Sequence, residues 1–400
     1  MTYRRHSIIG LAAASLAGLA LAGPAIAQNY DTADFAAIDK ATSAAQKWGN
    51  GELDANAPKV TYDGPTIIVR TSLHTPASAS SSRTWKGQFD ALERMSNGKI
   101  KAEHGWGATV HHVSKGFEAA RDNLTDATPC WSFYKSNSFP MMQSLFLPGI
   151  SPNAAAHSLM AENLYDKYYR SEYERQNVYL GRIRATTPYI FFSKKPIGKM
   201  EDLKGQKIRS GGGIHAAVVK ALGGSPISMS SGEFYSAFQR GILDVVALSD
   251  AATETFKINE IATHRTYANL SRVILEMCLN KQWVDALPAD LKTVVDHWGR
   301  AAAQYDSQMT FIYYGAKARE TFHKQDMKFV GISKAEEKRW QDAVQPVIDE
   351  YIQKNEAAGR PAKQLVADMR AFVEKHKNQT PNDIFMEAVK HPVTGVIPGS

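Results

Sequence analysis

Cysteine is scarce in this sequence of 400 residues, which contains only Cys130 and Cys278. No C-x-x-C pair and no spaced Cys/His cluster occurs, so the sequence disfavours a structural zinc site, and we expect no metal and no cofactor. Two cysteines so far apart in the chain are compatible with a disulfide in an oxidising compartment and equally with two small buried side chains. The sequence alone leaves that choice open.

Long runs of one charge are also absent. The 47 Lys and Arg residues outnumber the 40 Asp and Glu residues, for a formal net charge of +7, but no run of five or more bases occurs. Scattered bases indicate a solvated surface and no nucleic-acid partner, although the mild excess is compatible with anionic ligands. Outside the N-terminus no hydrophobic run is long enough to cross a membrane, which excludes a polytopic membrane protein.

Residues 1–27 have the pattern of a bacterial secretory signal. Arg4 and Arg5 form a basic start, residues 8–22 an apolar stretch, and residues 25–27 an A-x-A cleavage site. An uncleaved membrane anchor is the alternative, and the residues flanking the arginine pair match a twin-arginine signal poorly. We therefore expect a periplasmic protein.

The remaining chain alternates between strand-like and helix-like segments, which predicts an α/β protein with largely parallel sheets. A helical pattern from residue 289 to about 323 would exceed roughly 45 Å, longer than one domain is wide, so we expect it to span two domains. A short helix is expected within the polar lead-in 28–58, and residues 381–400 look irregular. The other expected strands are 65–73, 99–103, 178–184, 189–193, 206–209 and 243–248; the other helices are 85–95, 113–124, 214–222, 234–239, 340–355 and 365–376.

Six segments resemble the solute receptors of tripartite ATP-independent periplasmic (TRAP) transporters: 96–100, 195–209, 220–226, 233–239, 241–244 and 283–291. The resemblance covers residues 65–365 and implies a two-lobed periplasmic binding protein fold with crossing strands and a long helix spanning both lobes. It places lobe I at 59–187 plus 275–315 and lobe II at 188–274 plus 316–376. Residues 28–58 are then an N-terminal extension and 377–400 a C-terminal tail.

Arg209 is the central candidate for ligand binding. It ends a short predicted strand and is followed by Ser210, three glycines and a helix, whose N-terminus favours an anion. A guanidinium matches a carboxylate with two parallel donors, and the resemblance implies that Arg209 binds the ligand carboxylate, with Gly213 beside it. From the residues alone, a surface arginine next to a flexible turn is the alternative. The glycines lack the G-x-G-x-x-G spacing of a dinucleotide loop.

The other pocket positions of the family differ here mostly by losing charge. Tyr189 stands where many relatives have a second arginine, Leu248 where an asparagine is usual, and Ser231 where an aromatic residue is frequent. Trp131 lies near an acidic position of sugar-acid receptors, with Phe133 close by. Such a pocket suits a monocarboxylate with an apolar or aromatic body. Trp131, Phe133 and Tyr189 are equally compatible with the core.

His74 and His112 lie on loops that reach the cleft in relatives, where either side chain is able to hydrogen-bond a carboxylate or hydroxyl. A structural role is the alternative for each. No acidic or sulfur ligand accompanies His112 at a spacing that suits a metal, so we expect no metal site, although co-binding of a cation with the ligand stays open.

The resemblance thus implies a receptor that binds an organic acid between its lobes and delivers it to the TRAP permease subunits. A periplasmic sensor with the same cleft is the alternative. A hydrolase is a weaker one, since Ser132 and Lys135 match S-x-x-K but its companion motifs are missing. The sequence does not indicate which acid is bound, whether the protein dimerises, or what the tail does.

Overall fold

The computed structural model describes residues 34–151 and 153–400. The predicted signal lies outside these residues. Within them, no helix combines the length and apolar character needed to cross a membrane.

Eleven strands form two mixed sheets in the described part of the chain. The first sheet has the order β2-β1-β3-β10-β4 and the second β11-β9-β5-β8-β6-β7. The strands are β1 Ile67–Ser72, β2 Ile100–Gly105, β3 Ala127–Pro129, β4 Val178–Ala185, β5 Ile190–Ser193, β6 Lys207–Ser210, β7 Ser225–Ser228, β8 Val245–Leu248, β9 His264–Tyr267, β10 Ile274–Asn280 and β11 Lys328–Val330.

Helices cover the faces of both sheets, as expected for two α/β layers. The α-helices are α1 Phe35–Ala41, α2 Ser43–Gly49, α3 Ser80–Met95, α4 Gly116–Arg121, α5 Ala154–Asn163, α6 Arg170–Glu174, α7 Gly213–Ala221, α8 Phe234–Gln239, α9 Asp250–Thr255, α10 Lys281–Asp285, α11 Ala289–Asp306, α12 Tyr314–Lys324, α13 Lys334–Ala357, α14 Ala362–His376 and α15 Pro381–Lys390.

Two extended segments connect the sheets. Residues 186–189 lead from β4 to β5, and residues 268–273 return from β9 to β10. The segments hydrogen-bond each other, with Thr186 N donating to Val273 O at 2.9 Å and Tyr189 N to Ser271 O at 3.0 Å. The expected fold of two lobes joined by crossing strands is confirmed.

The expectation of largely parallel sheets is wrong, and the crossing explains why. β4 leaves the first sheet and β10 returns to it, so these neighbours run antiparallel, as do β5 and β9 in the second sheet. Pairs joined within one lobe by a helix, such as β1 with β2 and β6 with β7, are parallel, as right-handed crossovers require.

The long helix is confirmed as one uninterrupted helical run. α11 continues through a π-helical segment, Ser307–Tyr313, into α12. Its first part packs on α3 and β4, and α12 packs on α9, which follows β8 of the second sheet. The run therefore extends from the first lobe to the second. Within this run, Gly299 lies directly against the backbone of Gly181 in β4.

Both ends of the described chain are more ordered than expected. Two helices, α1 and α2, form in the N-terminal extension where one was predicted. The prediction of an irregular 381–400 is wrong, because α15 begins with Pro381 after a capping box made by Thr380 and Asp383. Asp296 of α11 then accepts hydrogen bonds from the backbone of Gly395 and Ile397.

The core around β4 also includes the C-terminal helices. Met369 and Val373 of α14 belong to the same buried cluster as Leu180 and Ile183 of β4, and α14 packs on α5. Residues 362–376 therefore pack with the first lobe, whereas the expected boundary placed them in lobe II. The exact lobe limits otherwise stay a prediction.

Cys130 and Cys278 form a disulfide, which decides the question that the sequence left open. Cys130 follows β3 and Cys278 lies in the neighbouring strand β10. The disulfide therefore joins two adjacent elements of the first sheet, immediately before Trp131.

Candidate functional site

A cavity of about 70 Å³ lies between the lobes and forms the cleft. The first lobe contributes the residues that follow β1 and β3, parts of β4 and β10, and the end of α11 with the π-helical segment. The second lobe contributes α9 and Phe256. The lining residues include Leu73, His74, Thr75, Trp131, Arg182, Arg184, Thr255, Phe256, Glu276, Asp306 and Phe311.

Aromatic side chains form a continuous series along this cleft. The ring centroids of Trp131 and His74 are 4.9 Å apart, and His74 stacks on Phe256 of the second lobe at 6.2 Å. Phe256 meets Phe234 edge-on at 5.3 Å, while Trp131 stacks on Tyr134 at 5.9 Å. Because His74 and Phe256 come from different lobes, the lobes are in contact along this series.

Arg209 lies beyond Phe234, at one end of the aromatic series, and is not among the residues that line the cavity. It is the third residue of β6, whose neighbours β7 and β8 shield it, and only 3% of its surface is exposed. Its guanidinium lies 4.4 Å from the centre of the Phe234 ring, and Nη1 donates a hydrogen bond to the Tyr189 hydroxyl at 3.0 Å. Nε is buried and makes no hydrogen bond within the described residues. A buried cation with no acidic partner is energetically costly, so an anion bound beside it would stabilise it.

The turn after Arg209 brings the start of α7 close to the first lobe. Gly212 and Gly213 have φ values of +90° and +52°, a backbone region in which glycine is strongly favoured. A Cβ at Gly213 would lie 2.2 Å from Gln143 Oε1, so the absence of a side chain allows this approach. The amide of Gln143 is itself buried without a hydrogen bond among the described residues.

His74 Nδ1 is another buried polar atom of the cleft that makes no hydrogen bond within the described residues. Burial lowers the pKa of His74 to about 3, with a further contribution from the positive charge of Arg184. His74 is therefore a neutral imidazole at physiological pH. Burial raises the pKa of the Tyr134 hydroxyl, opposed by the nearby charge of Arg209. Neutral donors and acceptors of this kind are suited to the polar groups of a ligand.

The structure brings some of the predicted site residues together. His74 and Trp131 line the cleft. Arg209 contacts Tyr189, and Phe133 stacks on Trp131 with centroids 5.5 Å apart. Whether each of these side chains touches a ligand stays a prediction.

Three other predicted site residues are not among those that line the cleft. His112 is exposed and its Nδ1 is 2.8 Å from the Ser114 hydroxyl, while Ser231 begins a short 3-10 helix after β7. Leu248, the last residue of β8, is buried in a cluster with Ile190 and Phe192.

Sequence reasoning missed several residues that line the cleft. Arg182 and Arg184 are two residues apart in β4, so both side chains point to the same face of the sheet. Both line the cleft together with Asp306. The R-x-R spacing in a predicted strand was the available signal. Phe256 was missed because nothing in the local sequence distinguishes it from a core phenylalanine.

The two residues of the S-x-x-K motif, Ser132 and Lys135, each pair with a different acidic side chain and not with each other. The Ser132 hydroxyl donates a hydrogen bond to the buried carboxyl of Glu276, and Lys135 pairs with Glu118 at 2.8 Å. Within residues 34–151 and 153–400, no group of three or more His, Cys, Asp or Glu side chains is placed to hold a metal ion.

A model of the bacterial extracellular solute-binding proteins, family 7, matches residues 79–355. A solute-binding protein of Sulfitobacter sp. strain NAS-14.1 is 29% identical over 161 residues, which are 40% of this chain and 48% of that protein. The match thus spans about half the length of that relative.

Solved structures share the fold. A TRAP solute-binding protein from Rhodoferax ferrireducens, in complex with copurified benzoate, superimposes with a TM-score of 0.74 at 20% identity, covering 78% of this chain and 99% of that one. A TRAP periplasmic solute-binding protein from Bordetella bronchiseptica, with bound (R)- and (S)-mandelate, gives 0.71 at 24% identity, covering 77% and 99%.

Proposed function

Because the chain belongs to family 7 of the bacterial extracellular solute-binding proteins, we propose that it is the receptor of a TRAP transport system for an organic acid with an aromatic body. The acid binds between the lobes and is delivered to the membrane permease subunits. The observation that carries this proposal is Arg209, a buried guanidinium with an unused donor at the end of a series of aromatic side chains.

The ligand carboxylate is assigned to Arg209. Tyr189 holds the guanidinium through Nη1, which leaves Nε without a partner in the described chain. A carboxylate is the acceptor that fits a guanidinium best. No carboxylate of this protein pairs with Arg209 among the described ion pairs, so a ligand would supply the missing negative charge.

The aromatic body of the ligand is assigned to the series formed by Trp131, His74 and Phe256. Aromatic side chains favour offset or edge-on packing with centroids about 4.5–7 Å apart, and each such pair contributes about 0.5–1.5 kcal/mol beyond its buried area. An aromatic acid is able to join this series, whereas an aliphatic diacid or a sugar acid presents little ring surface. The two related structures that contain benzoate and mandelate are consistent with this class.

Ligand binding would couple the lobes, because Arg209 and Phe256 belong to the second lobe and Trp131 and His74 to the first. A ligand that contacts both sides stabilises the closed arrangement relative to the open one. The crossing segments and the long helix are the connections about which such a motion would occur.

Export to the periplasm is supported by the family, by the predicted signal and by the disulfide. Disulfides such as Cys130–Cys278 form and persist mainly in oxidising compartments.

Isothermal titration of the purified protein tests the proposal, using benzoate, mandelate, succinate and galacturonate. We expect the two aromatic acids to bind more tightly than the others. Arg209→Gln should weaken aromatic-acid binding about 10- to 150-fold, the equivalent of one charged hydrogen bond of about 1.5–3 kcal/mol. Arg240→Gln, on an exposed position of the same lobe, is the matched control and should bind as the wild type does. Unchanged binding by Arg209→Gln would refute the assignment.

A further inference from the structure

Two arginines and one aspartate meet in the wall of the cleft formed by β4 and the end of α11. Arg182 Nη2 lies 2.6 Å from Asp306 Oδ2, and Arg184 Nη1 lies 2.9 Å from Asp306 Oδ1. All three side chains are buried and all three line the cleft. One carboxylate is therefore shared by two guanidinium groups.

This cluster carries an excess of positive charge. Burial alone would raise the pKa of Asp306, but Arg184 and Arg182 hold it below its usual value, so the carboxylate is ionised. Burial lowers the pKa of Arg184 to about 10, which leaves the guanidinium charged at neutral pH. Glu276, the other acidic residue that lines the cleft, has a pKa raised to about 8 by burial and is mostly neutral. The two guanidinium charges thus face a single negative charge.

The hydrogen bonds of the cluster are incomplete as well. Nε and Nη1 of Arg182 and Nε of Arg184 are buried and make no hydrogen bond within the described residues. Asp306 has no capacity to spare, because Oδ1 also accepts from the hydroxyls of Thr310 and Thr84. Buried guanidinium donors without acceptors are costly, and an anionic group would satisfy them and balance the charge together.

Arg184 is the member of the pair that is placed for a ligand. It remains 7% exposed, its guanidinium lies 4.7 Å from the centre of the Phe311 ring, and its charge is close enough to His74 to lower the pKa of that imidazole. Between Arg184 and Arg209 lie the rings of His74, Phe256 and Phe234, in successive contact at 6.2 and 5.3 Å. The aromatic series therefore has a cation at each end: Arg184 in the cavity wall, and Arg209 beyond the residues that line the cavity.

We propose that Arg184, oriented by Asp306, binds a second acidic group of the ligand, so that the preferred solute is an aromatic acid with two anionic substituents. This inference rests on the proposed function and narrows its ligand class. A monocarboxylate was predicted from the sequence because Arg209 was the one cation assigned to the pocket there.

Titration with matched ligands tests this inference: benzoate with one carboxylate, and isophthalate and terephthalate with two. For the wild type, we expect at least one of the dicarboxylates to bind at least 10-fold more tightly than benzoate. Arg184→Gln should reduce this ratio to near one, whereas Arg209→Gln should weaken the binding of all three ligands. Arg184→Lys keeps the charge but loses the planar pair of donors, so its ratio should lie between those of the wild type and Arg184→Gln. The thermal melting of each variant is measured first, and the wild-type ratio tests the inference even if a variant does not fold.

A free inorganic anion is the other source of negative charge, and repeating the benzoate titration with and without chloride distinguishes it. Chloride that strengthens benzoate binding, together with no preference for a dicarboxylate, would overturn the inference. A wild type that binds benzoate at least as tightly as both dicarboxylates would overturn it too, while leaving the proposed function intact. Failure to bind any aromatic acid would refute the proposed function itself.

Discussion

Replacing Gly299 with alanine should destabilise the protein, because the long helix contacts β4 there without an intervening side chain. A Cβ at Gly299 would lie 2.1 Å from the carbonyl oxygen of Gly181, well inside van der Waals contact. The same carbonyl accepts a hydrogen bond from Arg300 Nη2 at 2.7 Å. Neither the strand nor the helix backbone is able to move away without breaking other contacts, so α11 would have to shift as a unit.

Overpacking of this kind typically costs about 1–3 kcal/mol, and occasionally more. We expect the upper part of that range for Gly299→Ala, because the new Cβ would clash with a main-chain oxygen, which cannot rotate away as a flexible side chain can. Gly315 provides a matched control in the same helical run: a Cβ there meets nothing closer than Arg319 Nη1 at 3.6 Å. Gly315→Ala should therefore stabilise the protein by about 0.5–1 kcal/mol, the ordinary gain from glycine to alanine in a helix.

Urea denaturation followed by circular dichroism measures both effects as changes in the free energy of unfolding. The opposite signs of the two substitutions are the test. If Gly299→Ala were as stable as the wild type, the direct contact between α11 and β4 would be wrong, and with it the placement of the cleft wall formed by β4.

Two further predictions concern the disulfide and the buried carboxyl group of Glu276. The double variant Cys130→Ala/Cys278→Ala should lose up to about 5 kcal/mol of stability by the loop-entropy relation for a separation of 148 residues, and an unfolding midpoint equal to that of the oxidised wild type would contradict the disulfide. Glu276→Gln should become more stable relative to the wild type as the pH rises from 5 to 8. The folded-state pKa of Glu276 is raised to about 8, so the unfolded chain ionises first and wild-type stability falls over that interval. Melting temperatures of both proteins across this range check the sign, and a constant difference would refute it.

Local patterns predicted most of the elements near the site. Strand β6, the helix α7 after three glycines, and α8 all lie within a residue or two of their expected bounds, because each combines a periodic apolar pattern with a clear start or stop. The tail was predicted wrongly. Its helix α15 is stabilised by the buried side chains of Ile384 and Phe385. The residues after α15 hydrogen-bond through their backbone to Asp296, which is distant in sequence.

Arg209 and Arg184 were predictable to different degrees. Arg209 was predicted as a site residue because a short strand, a glycine turn and a helix N-terminus form a local pattern, which the family resemblance reinforced. Arg184 was not found because its significance depends on Asp306, more than a hundred residues away. Only packing shows that one carboxylate serves two arginines.

The sequence by itself determined the α/β class, the long helix and the position of Arg209, since these depend on periodicity and on neighbours within a few residues. The tertiary structure decided the antiparallel strand pairs, the disulfide, the course of the tail and the charge balance of the cleft. Each of these arises when segments far apart in the chain are brought into contact. Burial then sets the outcome, because a buried charge or donor depends on partners that the local sequence does not contain.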